Sequence, residues 1–568
     1  MIYQYYSQGA VKRTLTYKYL EEGLTMFLSN FVKSLICRSS LSRRLTGVVM
    51  SILIGVMMTM SPVNAQDKTI TIAVEGDPTR LDPHTHGLWL TYRVVYHIFE
   101  GLVQQDLSRD DVHIPPIIPA LAESWDISAD GKSYTFNLRQ GVKFHDGTDW
   151  NAEAAKFNFD RLLDPNAPHF LETAVGGNGW WVGDIESYEA SDSHTFVVHL
   201  KTPVSNFLQR LVNGGYGSAA MSSPTAIKKY GEDFGNNPIG TGPFKLAERV
   251  FGEKIVLEKN SDYWDPKRTP KYDRLIYQPI VDDAARELAL ISGGADIIAS
   301  PTPDSYDYIK GKGFEIVSKS GPGLQALWLN MKDPKLEDVR VRQAMYMAID
   351  REGLCTLLRL NECLPHYSII NRHGPGYDEG FVPYSYDPEK AKQLLADAGY
   401  PDGLDIRFEW GAGGAGAVGT KAFVEWVQRD WEKVGIRTEL VSYDIGAYFG
   451  QMLKGMRDGT QVMTIGWGET SYIWLEFVIT PEALPPNGYN SGYYDNPELG
   501  AVMKQVKTAL TEEDMVSRLQ QVAKIIADDV AWIPVYAYKL AFAVSPKIKG
   551  FVLAPENWQD LTLLEIVE

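Results

Sequence analysis

The stretch that decides the fold is Leu121–Gly147, which reads LAESWDISADGKSYTFNLRQGVKFHDG. Apolar residues occupy every second position over Trp125–Ile127 and again over Tyr134–Leu138, with polar residues between them. A period of two on both sides of a turn is typical of a β-hairpin that buries one face. Asp130-Gly131 separates the two halves and is predicted to form a two-residue turn, because both residues tolerate positive φ. The sequence therefore predicts an aromatic hairpin here.

This hairpin resembles the signature of the family 5 extracellular solute-binding proteins, the dipeptide-, oligopeptide- and nickel-binding group of ABC importers. In that family the pattern W-x-x-S-x-D-G-x-x-Y-x-F-x-L-R directly precedes G-V-K-F-H-D-G, and Trp125–Gly147 matches it almost without gaps. Two further stretches are similar to the family, Asn236–Lys245 (NNPIGTGPFK) and Tyr386–Gly403 (YDPEKAKQLLADAGYPDG). The resemblance covers residues 69–568, which is nearly the whole chain after its N-terminal segment.

The resemblance implies an α/β fold of the bilobed class II periplasmic binding protein type, with an additional subdomain and two hinge crossings. A strand-helix-strand pattern over Leu404–Ser442 independently indicates parallel strands. The implied division is lobe I at 66–110, 235–325 and 528–568, the extra subdomain at 111–234, and lobe II at 326–527, with crossings near Gly321–Leu327 and Asp528–Pro534. Four polar residues precede helical apolar patterns and are predicted N-caps: Asn151, Asp338, Asp387 and Thr511.

The first 65 residues have the pattern of a secretory signal peptide. Three arginines over Arg38–Arg44 precede an apolar run over Leu45–Met60, and small residues follow up to Ala65. This order of basic, apolar and small residues predicts cleavage after Ala65 and export to the periplasm. Met26 is an alternative start, since the residues before it add nothing to the pattern. A retained membrane anchor is the alternative to cleavage.

The composition is that of an acidic globular protein. Of its 568 residues 44% are hydrophobic and 22% charged, and the formal net charge is -17. Removal of residues 1–65 takes away seven basic and two acidic residues, which leaves about -22. So acidic a chain is not expected to bind nucleic acid, whose phosphates require a basic face. The partners that the resemblance implies are a peptide or peptide-like solute and an inner-membrane ABC permease, with the protein acting as a monomer.

Two cysteines follow the signal segment, Cys355 and Cys363. On a continuous helix their Cα atoms would lie about 12 Å apart, at 1.5 Å per residue, whereas a disulfide requires less than about 7 Å. A bridge therefore requires the helix to end and the chain to reverse near Asn361-Glu362. We expect the bridge, because exported proteins can hold disulfides. The alternative is two separately buried thiols.

Two motifs suggest cofactor or metal sites, and we expect neither to form one. Gly414–Gly419 fits G-x-G-x-x-G, lies between a strand and a helix, and is followed by Glu439 twenty residues later. Nicotinamide cofactors are scarce outside the cell, so a glycine loop over the cleft is the preferred interpretation. His84 and His86 form an H-x-H pair, but no third His or Cys ligand lies near them in the sequence. Metalloprotease, nucleophile-elbow and P-loop motifs are missing, and we predict a binding protein rather than an enzyme.

The loop after Trp467 is the first candidate for ligand binding. In similar peptide binders this loop reads roughly G-W-x-x-D-x-x-D-P, and its first Asp binds the ammonium of a peptide. Here the Asp is missing, and Glu469 is the candidate substitute, since a buried carboxylate binds ammonium strongly. Trp467, Tyr472 and Trp474 could instead stack on a sugar or an opine-like solute. The alternative is that two of these three rings belong to the core.

The remaining candidates are isolated residues. Arg372 could bind a ligand carboxylate through two hydrogen bonds, although a surface role is equally compatible with the sequence. Trp89 stands where relatives line the pocket, and Trp180-Trp181 is a further aromatic pair. The resulting prediction is a substrate-binding protein in which hinge closure buries a peptide-like solute for delivery to a permease. The alternatives are an oligosaccharide or opine binder of the same class, or an exported enzyme.

Overall fold

The computed structural model of the chain describes residues 68–78, 80–85, 89–173, 183–213, 219–412, 420–468 and 470–567. Residues 68–568 form one compact unit. The predicted signal peptide, His86, Trp180-Trp181, Gly414–Gly419 and Glu469 lie outside the described residues.

The strands are, in chain order, β1 Thr69–Val74, β2 Val103–Gln105, β3 Ile117–Pro119, β4 Ala122–Ile127, β5 Ser133–Leu138, β6 Ile185–Asp192, β7 Thr195–Leu200, β8 Phe244–Val250, β9 Lys254–Lys259, β10 Arg274–Pro279, β11 Ile297–Ala299, β12 Glu315–Leu329, β13 Cys363–Pro365, β14 Leu404–Ala412, β15 Ile436–Asp444, β16 Val462–Trp467, β17 Trp532–Val544, β18 Ile548–Lys549 and β19 Glu565–Ile566.

The α-helices are α1 Trp89–Ile98, α2 Ala152–Leu163, α3 Phe207–Arg210, α4 Pro224–Tyr230, α5 Asp283–Ile291, α6 Tyr306–Gly311, α7 Val339–Met347, α8 Arg351–Gly353, α9 Pro388–Asp397, α10 Thr420–Glu432, α11 Ile445–Met452, α12 Ile473–Val478, α13 Pro497–Thr508 and α14 Glu512–Asp529. The four predicted N-caps are confirmed, because each of these side chains accepts a hydrogen bond from a backbone N–H in the first turn of its helix.

A continuous sheet connects the two lobes through its two longest strands. Its order is β15-β14-β16-β12-β17-β11-β1-β10-β9-β8, with β13 also paired to β17. The strands β12 and β17 run antiparallel for most of their length, so each carries the chain from one lobe to the other. Their register shifts between Ser320 and Leu324, at Gly321-Pro322-Gly323. This irregularity lies within the first predicted crossing and faces the part of β17 around Tyr538.

Four groups of buried side chains define three parts of the molecule. Lobe I has a core around β1, β10 and the C-terminal segment Phe542–Leu564. Lobe II has two adjoining cores built on β12, β14 and β16 with the helices α7, α10 and α14. The core between Leu102 and Met221 belongs to a separate four-stranded sheet, β4-β5-β7-β6, which we call the hairpin subdomain. The predicted residue boundaries of these parts stay predictions.

The predicted hairpin is present as β4 and β5, but its turn differs from the expectation. Ile127 pairs with Tyr134 and the Ser128 N–H donates to the Ser133 carbonyl, so four residues form the loop. Gly131 has φ +69°, whereas Asp130 does not have positive φ. The Asp130 carboxylate instead accepts hydrogen bonds from the Ser128 hydroxyl and the Lys132 N–H, an arrangement that competes with a tight turn. Ile127, at the end of β4, is 48% exposed.

Two of the three motifs that resemble the family, Trp125–Gly147 and Asn236–Lys245, meet in one buried network. The carboxylate of Glu100 accepts hydrogen bonds from Tyr263 (2.8 Å), Thr241 (2.8 Å) and Trp264 (2.9 Å). His145 donates from its backbone to the Gly240 carbonyl and from Nε2 to the Gly242 carbonyl, both at 2.9 Å. The His145 contacts join the hairpin subdomain to lobe I. These two motifs therefore form a structural contact between two parts of the fold.

Replacement of Gly240 by alanine should destabilise this contact. A Cβ at this position would lie 2.2 Å from the Ile98 carbonyl oxygen, which belongs to rigid backbone at the end of α1. Overpacking of this kind lowers the free energy of unfolding by about 1–3 kcal/mol or more. Chemical denaturation would measure the loss. The matched control is Gly450→Ala in α11, where a Cβ meets open space and alanine should stabilise the helix by up to about 1 kcal/mol. Equal effects of the two substitutions would contradict the explanation.

Cys355 and Cys363 are joined by a disulfide, with their Cα atoms 5.3 Å apart. The helical turn that contains Cys355 ends at Leu358. Leu360 and Asn361 then adopt positive φ values of 49° and 67°, which reverse the chain. The reversal begins one residue earlier than the sequence interpretation placed it.

Candidate ligand-binding site

A cavity of about 490 Å³ lies where the two lobes and the hairpin subdomain meet. Lobe I contributes Glu556 and Trp558, and lobe II contributes Thr470–Ile473. The hairpin subdomain contributes Ser205, Asn206, Gln209 and Arg210. The remaining lining residues are Gln105 and Val212, Ile114–Ile117, Pro375, Ala509–Glu512 and Met515. All three parts of the fold therefore contribute to one concave site, which is the arrangement expected of a ligand pocket.

Glu556 is a buried carboxylate in the lining of this cavity. The residue is 1% exposed, and one carboxylate oxygen, Oε1, accepts hydrogen bonds from Gln105 Nε2 at 2.9 Å and from the Thr470 hydroxyl. Within the described part of the chain, the other oxygen, Oε2, has no hydrogen-bond partner. Burial raises the pKa of Glu556 to about 7, although the hydrogen bonds from Thr470 and Gln105 oppose the rise.

Three further lining residues each have a buried polar atom without a hydrogen-bond partner among the described residues. The described residues supply no partner for Gln105 Oε1, Asn206 Nδ2 or Trp558 Nε1. Buried polar groups in folded proteins are nearly always hydrogen-bonded, so each exception calls for an explanation. Here two acceptors and two donors, counting Glu556, belong to one cavity lining. The site has hydrogen-bonding capacity that the described residues do not use.

One wall of the cavity is held by a cluster of charges that we call the interlobe ion network: Asp184, Arg210, Glu476 and Lys507. Arg210, fully buried as a side chain, binds Asp184 at 2.9 Å within the hairpin subdomain and Glu476 at 3.0 Å in lobe II. Lys507 of lobe II lies 2.6 Å from Asp184 and 3.8 Å from Glu476. Each cation therefore contacts one carboxylate in its own part of the fold and one across the cleft.

Hydrogen bonds beside this network also cross the cleft. The Ser205 hydroxyl lies 2.7 Å from the Tyr472 hydroxyl and 3.0 Å from the Val506 carbonyl, to which it donates. The Ser205 N–H donates to the Lys507 carbonyl at 2.8 Å. In this structure the hairpin subdomain and lobe II thus touch along one side of the cavity.

The sequence profile of the "Bacterial extracellular solute-binding proteins, family 5 Middle" matches residues 116–481. The chain belongs to family 5 of the bacterial extracellular solute-binding proteins. It is 30% identical over 502 residues to the glutathione-binding protein GsiB of Shigella flexneri serotype 5b, a match that covers 86% of this chain and 93% of the relative. GsiB of Escherichia coli strain K12 is likewise 30% identical over 501 residues, with the same coverage.

Solved structures of this family 5 type have the same fold. The periplasmic binding protein DppA of Helicobacter pylori, in complex with the peptide STSA, superposes with a TM-score of 0.76 at 24% identity, covering 89% of this chain and 100% of that one. The dipeptide-binding protein of Pseudoalteromonas sp. SM9913, in complex with Met-Leu, gives a TM-score of 0.78 at 21% identity over 88% and 100%. The predicted class II periplasmic binding protein fold is confirmed by these similarities.

The three aromatic candidates of this family 5 protein lie in different environments. Tyr472 lines the cavity and contacts Ser205. Trp467, at the end of β16, packs in the lobe II core with its ring centroid 6.0 Å from that of Trp328 and 5.3 Å from that of Tyr489. Trp474 is 1% exposed in the same core. Neither tryptophan is part of the cavity lining, so the structure places one ring at the cavity and two in the core.

None of the other candidates has a described side chain that lines the cavity. The guanidinium of Arg372 donates to the Tyr377 hydroxyl at 2.9 Å and to Glu379 at 2.8 Å, and the residue is outside the lining. Trp89 begins α1, but its side chain, like Glu469, lies outside the described part of the structure. The use of these three residues in ligand binding stays a prediction.

The first residue of the H-x-H pair, His84, lies among the described residues. His84 is buried, its Nε2 donates to the Ala220 carbonyl at 2.8 Å, and its Nδ1 accepts from Arg161 at 2.9 Å. Arg161 also forms a buried ion pair with Asp82 at 2.7 Å. Burial and the charge of Arg161 lower the pKa of His84 to about 4. Both ring nitrogens of His84 are therefore engaged in holding this loop of lobe I against the hairpin subdomain.

Proposed function

We propose that this chain captures a small peptide or peptide-like solute between its lobes and delivers it, chemically unchanged, to an inner-membrane ABC permease. The observation that carries the proposal is the cavity lined by all three parts of the fold, with four buried polar atoms that the described residues leave unsatisfied. A ligand with both donors and acceptors would satisfy such a lining, and amide groups carry both.

The size of the cavity supports a short ligand. A cube of 490 Å³ has an edge of about 8 Å, which roughly two to three extended residues span at ~3.3–3.6 Å each. The volume also falls in the range of about 300–1,000 Å³ that is usual for small-molecule sites. The relatives named for glutathione, itself a tripeptide, agree with a solute of this size.

The contacts across the cleft support capture by closure. The interlobe ion network and the Ser205–Tyr472 hydrogen bond can form only when the hairpin subdomain and lobe II approach each other. A solute that contacts both sides would favour this arrangement, because a ligand shifts a conformational equilibrium by its differential affinity for the two forms. The irregular pairing at Gly321-Pro322-Gly323 is the proposed bending point.

We extend the proposal to the organisation of the whole chain. Lobe I comprises residues 66–110, 235–325 and 528–568, the hairpin subdomain 111–234 and lobe II 326–527. Residues 1–65 direct export to the periplasm, where the mature protein works as a monomer. In the part of the chain that the structure describes, no helix is both long enough and apolar enough to span a membrane.

Thermal unfolding with a ligand panel tests the proposal. Met-Leu, reduced glutathione and the peptide STSA should raise the melting temperature, since a ligand at 100 times its Kd stabilises by about 2.7 kcal/mol, and mass spectrometry should recover each peptide intact. Gln209→Trp should abolish the shift, because Gln209 lines the cavity and the larger ring would occupy it. Gln521→Trp, the same exchange on an exposed face of α14, should preserve it. A shift with maltose but with none of the peptides, or hydrolysis of a peptide, would contradict the proposal.

A further inference from the structure

Two histidines from opposite sides of the cleft contact each other. His113 lies in the loop between β2 and β3 of the hairpin subdomain, and His373 lies in lobe II. Their ring centroids are 5.2 Å apart at an interplanar angle of 41°, and Nδ1 of His373 donates to the His113 carbonyl at 3.0 Å. Ile114 and Pro375, one and two residues further along the chain, line the cavity. The pair is therefore a contact across the cleft that adjoins the cavity and involves no residue of the interlobe ion network.

Charged and titratable groups of three elements lie around the pair. The loop that carries His113 has Arg109, Asp110 and Asp111, β12 has Lys319, and the segment that carries His373 has Arg372, Tyr377 and Glu379. The charges among these residues are paired with one another: Arg109 with Asp111, Lys319 with Asp110, and Arg372 with Glu379. Among the described residues, no carboxylate forms an ion pair with either histidine. A proton on either ring would therefore add a positive charge that no acid in direct contact balances.

Protonation of the pair acts against the closed arrangement. Burial and the charge of Arg372 lower the pKa of His113 below its ordinary value of 6.5. Burial also lowers the pKa of His373, and the charges of His113 and Arg372 add to this effect. Polar contacts of the His373 ring with the backbone of His113 and Ser320 oppose the shift.

Separation of the lobes reverses these effects. Water then reaches both rings, and Arg372 no longer lies across the contact from His113. The open form therefore binds more protons below pH 6.5 than the closed form does, so a fall in pH favours opening. A histidine pair at an interface is suited to such a response, because the ordinary pKa of histidine lies in this range.

We propose that His113 and His373 form a pH-sensitive latch, which holds the hairpin subdomain against lobe II while both rings are neutral and releases it when they are protonated. The proposal rests on the proposed function, since the latch acts on the closure that captures the solute. It adds that the pH of the surrounding compartment sets the affinity for whichever solute the cavity holds. The latch adjoins the proposed bending point, because Ser320, beside His373, is where the register of β12 begins to shift.

Calorimetric titration of the full chain with Met-Leu at pH 7.5, 6.5 and 5.5 tests the latch. The Kd of the wild type should rise as the pH falls, and each histidine should contribute up to about tenfold, because it must lose its proton before closure. The double variant His113→Phe with His373→Asn should lose this contribution. Phenylalanine keeps an uncharged ring, and the asparagine amide keeps a donor for the carbonyl at position 113.

The protons released on binding provide a second measurement. Titration at pH 6 in buffers of different ionisation enthalpy counts these protons. The wild type should release up to about one proton per histidine more than the double variant. A merely structural contact would not change this number.

The matched control is His194→Asn. His194 lies in the turn between β6 and β7 of the hairpin subdomain, outside the cavity lining, with its ring 2.8 Å from the Ser193 hydroxyl. This variant should have the pH profile of the wild type. The single variants His113→Phe and His373→Asn should each remove part of the pH dependence, so they test the latch even if the double variant does not fold. Thermal unfolding at pH 7.5 checks that each variant is folded.

The outcomes separate the latch from the proposed function. Equal pH dependence of the wild type and the folded variants, with Met-Leu still bound, would overturn the latch and leave the function intact. Weaker binding by the same factor at every pH would show that the contact is only structural, and this result would also overturn the latch. Failure of the wild type to bind Met-Leu, reduced glutathione or STSA at pH 7.5 would remove the proposed function, and the latch as a control of capture would fall with it.

Discussion

Replacement of Arg210 by methionine should weaken the binding of Met-Leu by about 30-fold or more, in the range for breaking a buried charged contact. The Arg210 side chain is fully buried and holds Asp184 in its own subdomain and Glu476 across the cleft. Without it, Lys507 alone must neutralise both carboxylates. The Arg210–Glu476 contact exists only while the hairpin subdomain touches lobe II. Loss of this contact therefore reduces the population of the binding-competent arrangement. The apparent affinity falls in proportion to that population.

Calorimetry and small-angle scattering together check this expectation. The variant should bind more weakly and should need more Met-Leu to reach the compact scattering profile of the liganded wild type. The matched control is Arg437→Met, which breaks the exposed pair of Arg437 with Asp405 within lobe II. Exposed pairs contribute about 0–1 kcal/mol, and this one does not cross the cleft. If Arg210→Met lowered only the free energy of unfolding and left the affinity for Met-Leu unchanged, the network would stabilise the fold without contributing to closure.

The sequence predicted individual elements of the fold because their signals are local, whereas the bilobed arrangement was implied by the family resemblance. The alternation in β4 and β5, the N-caps such as Asn151 and the glycines packed against the end of α1 each depend on neighbouring residues or on one close contact. The hairpin turn was wrong in detail, since the Asp130 side chain binds its own loop and leaves only Gly131 with positive φ. Local propensity predicts that a turn exists better than it predicts the hydrogen bonds that close it.

The cavity could not be predicted in the same way, because its contacts join distant parts of the chain. Arg210 and Glu476 are 266 positions apart, and Gln105 and Glu556 are 451 positions apart. No periodicity or spacing connects such pairs. Aromatic side chains do not distinguish the two environments in the sequence either, since Tyr472 lines the cavity whereas Trp467 ends a buried strand and packs in the core. An isolated acid such as Glu556 has no sequence signature that separates it from the many solvated acids of this chain.

The stability of ligand-free protein should depend on pH through Glu556. Its pKa is raised by burial from 4.5 to about 7 in the folded chain, while the unfolded chain retains the ordinary value. Between these two pH values the folded state therefore binds more protons than the unfolded state. The stability that Glu556 contributes is fully present below pH 4.5 and is lost as the pH rises through 7. At 1.36 kcal/mol per pKa unit, the loss is about 3 kcal/mol.

Denaturant unfolding measures this contribution of Glu556 to stability. The wild type and Glu556→Gln are compared at pH 5, 6, 7 and 8, after removal of bound solute. The difference in free energy of unfolding between the two should change by about 3 kcal/mol across the range, in favour of the variant at high pH. Other titrating groups, including the buried His97 and His145, are common to both proteins and cancel. Parallel pH profiles for the two proteins would mean that the charge of Glu556 is already compensated within the chain.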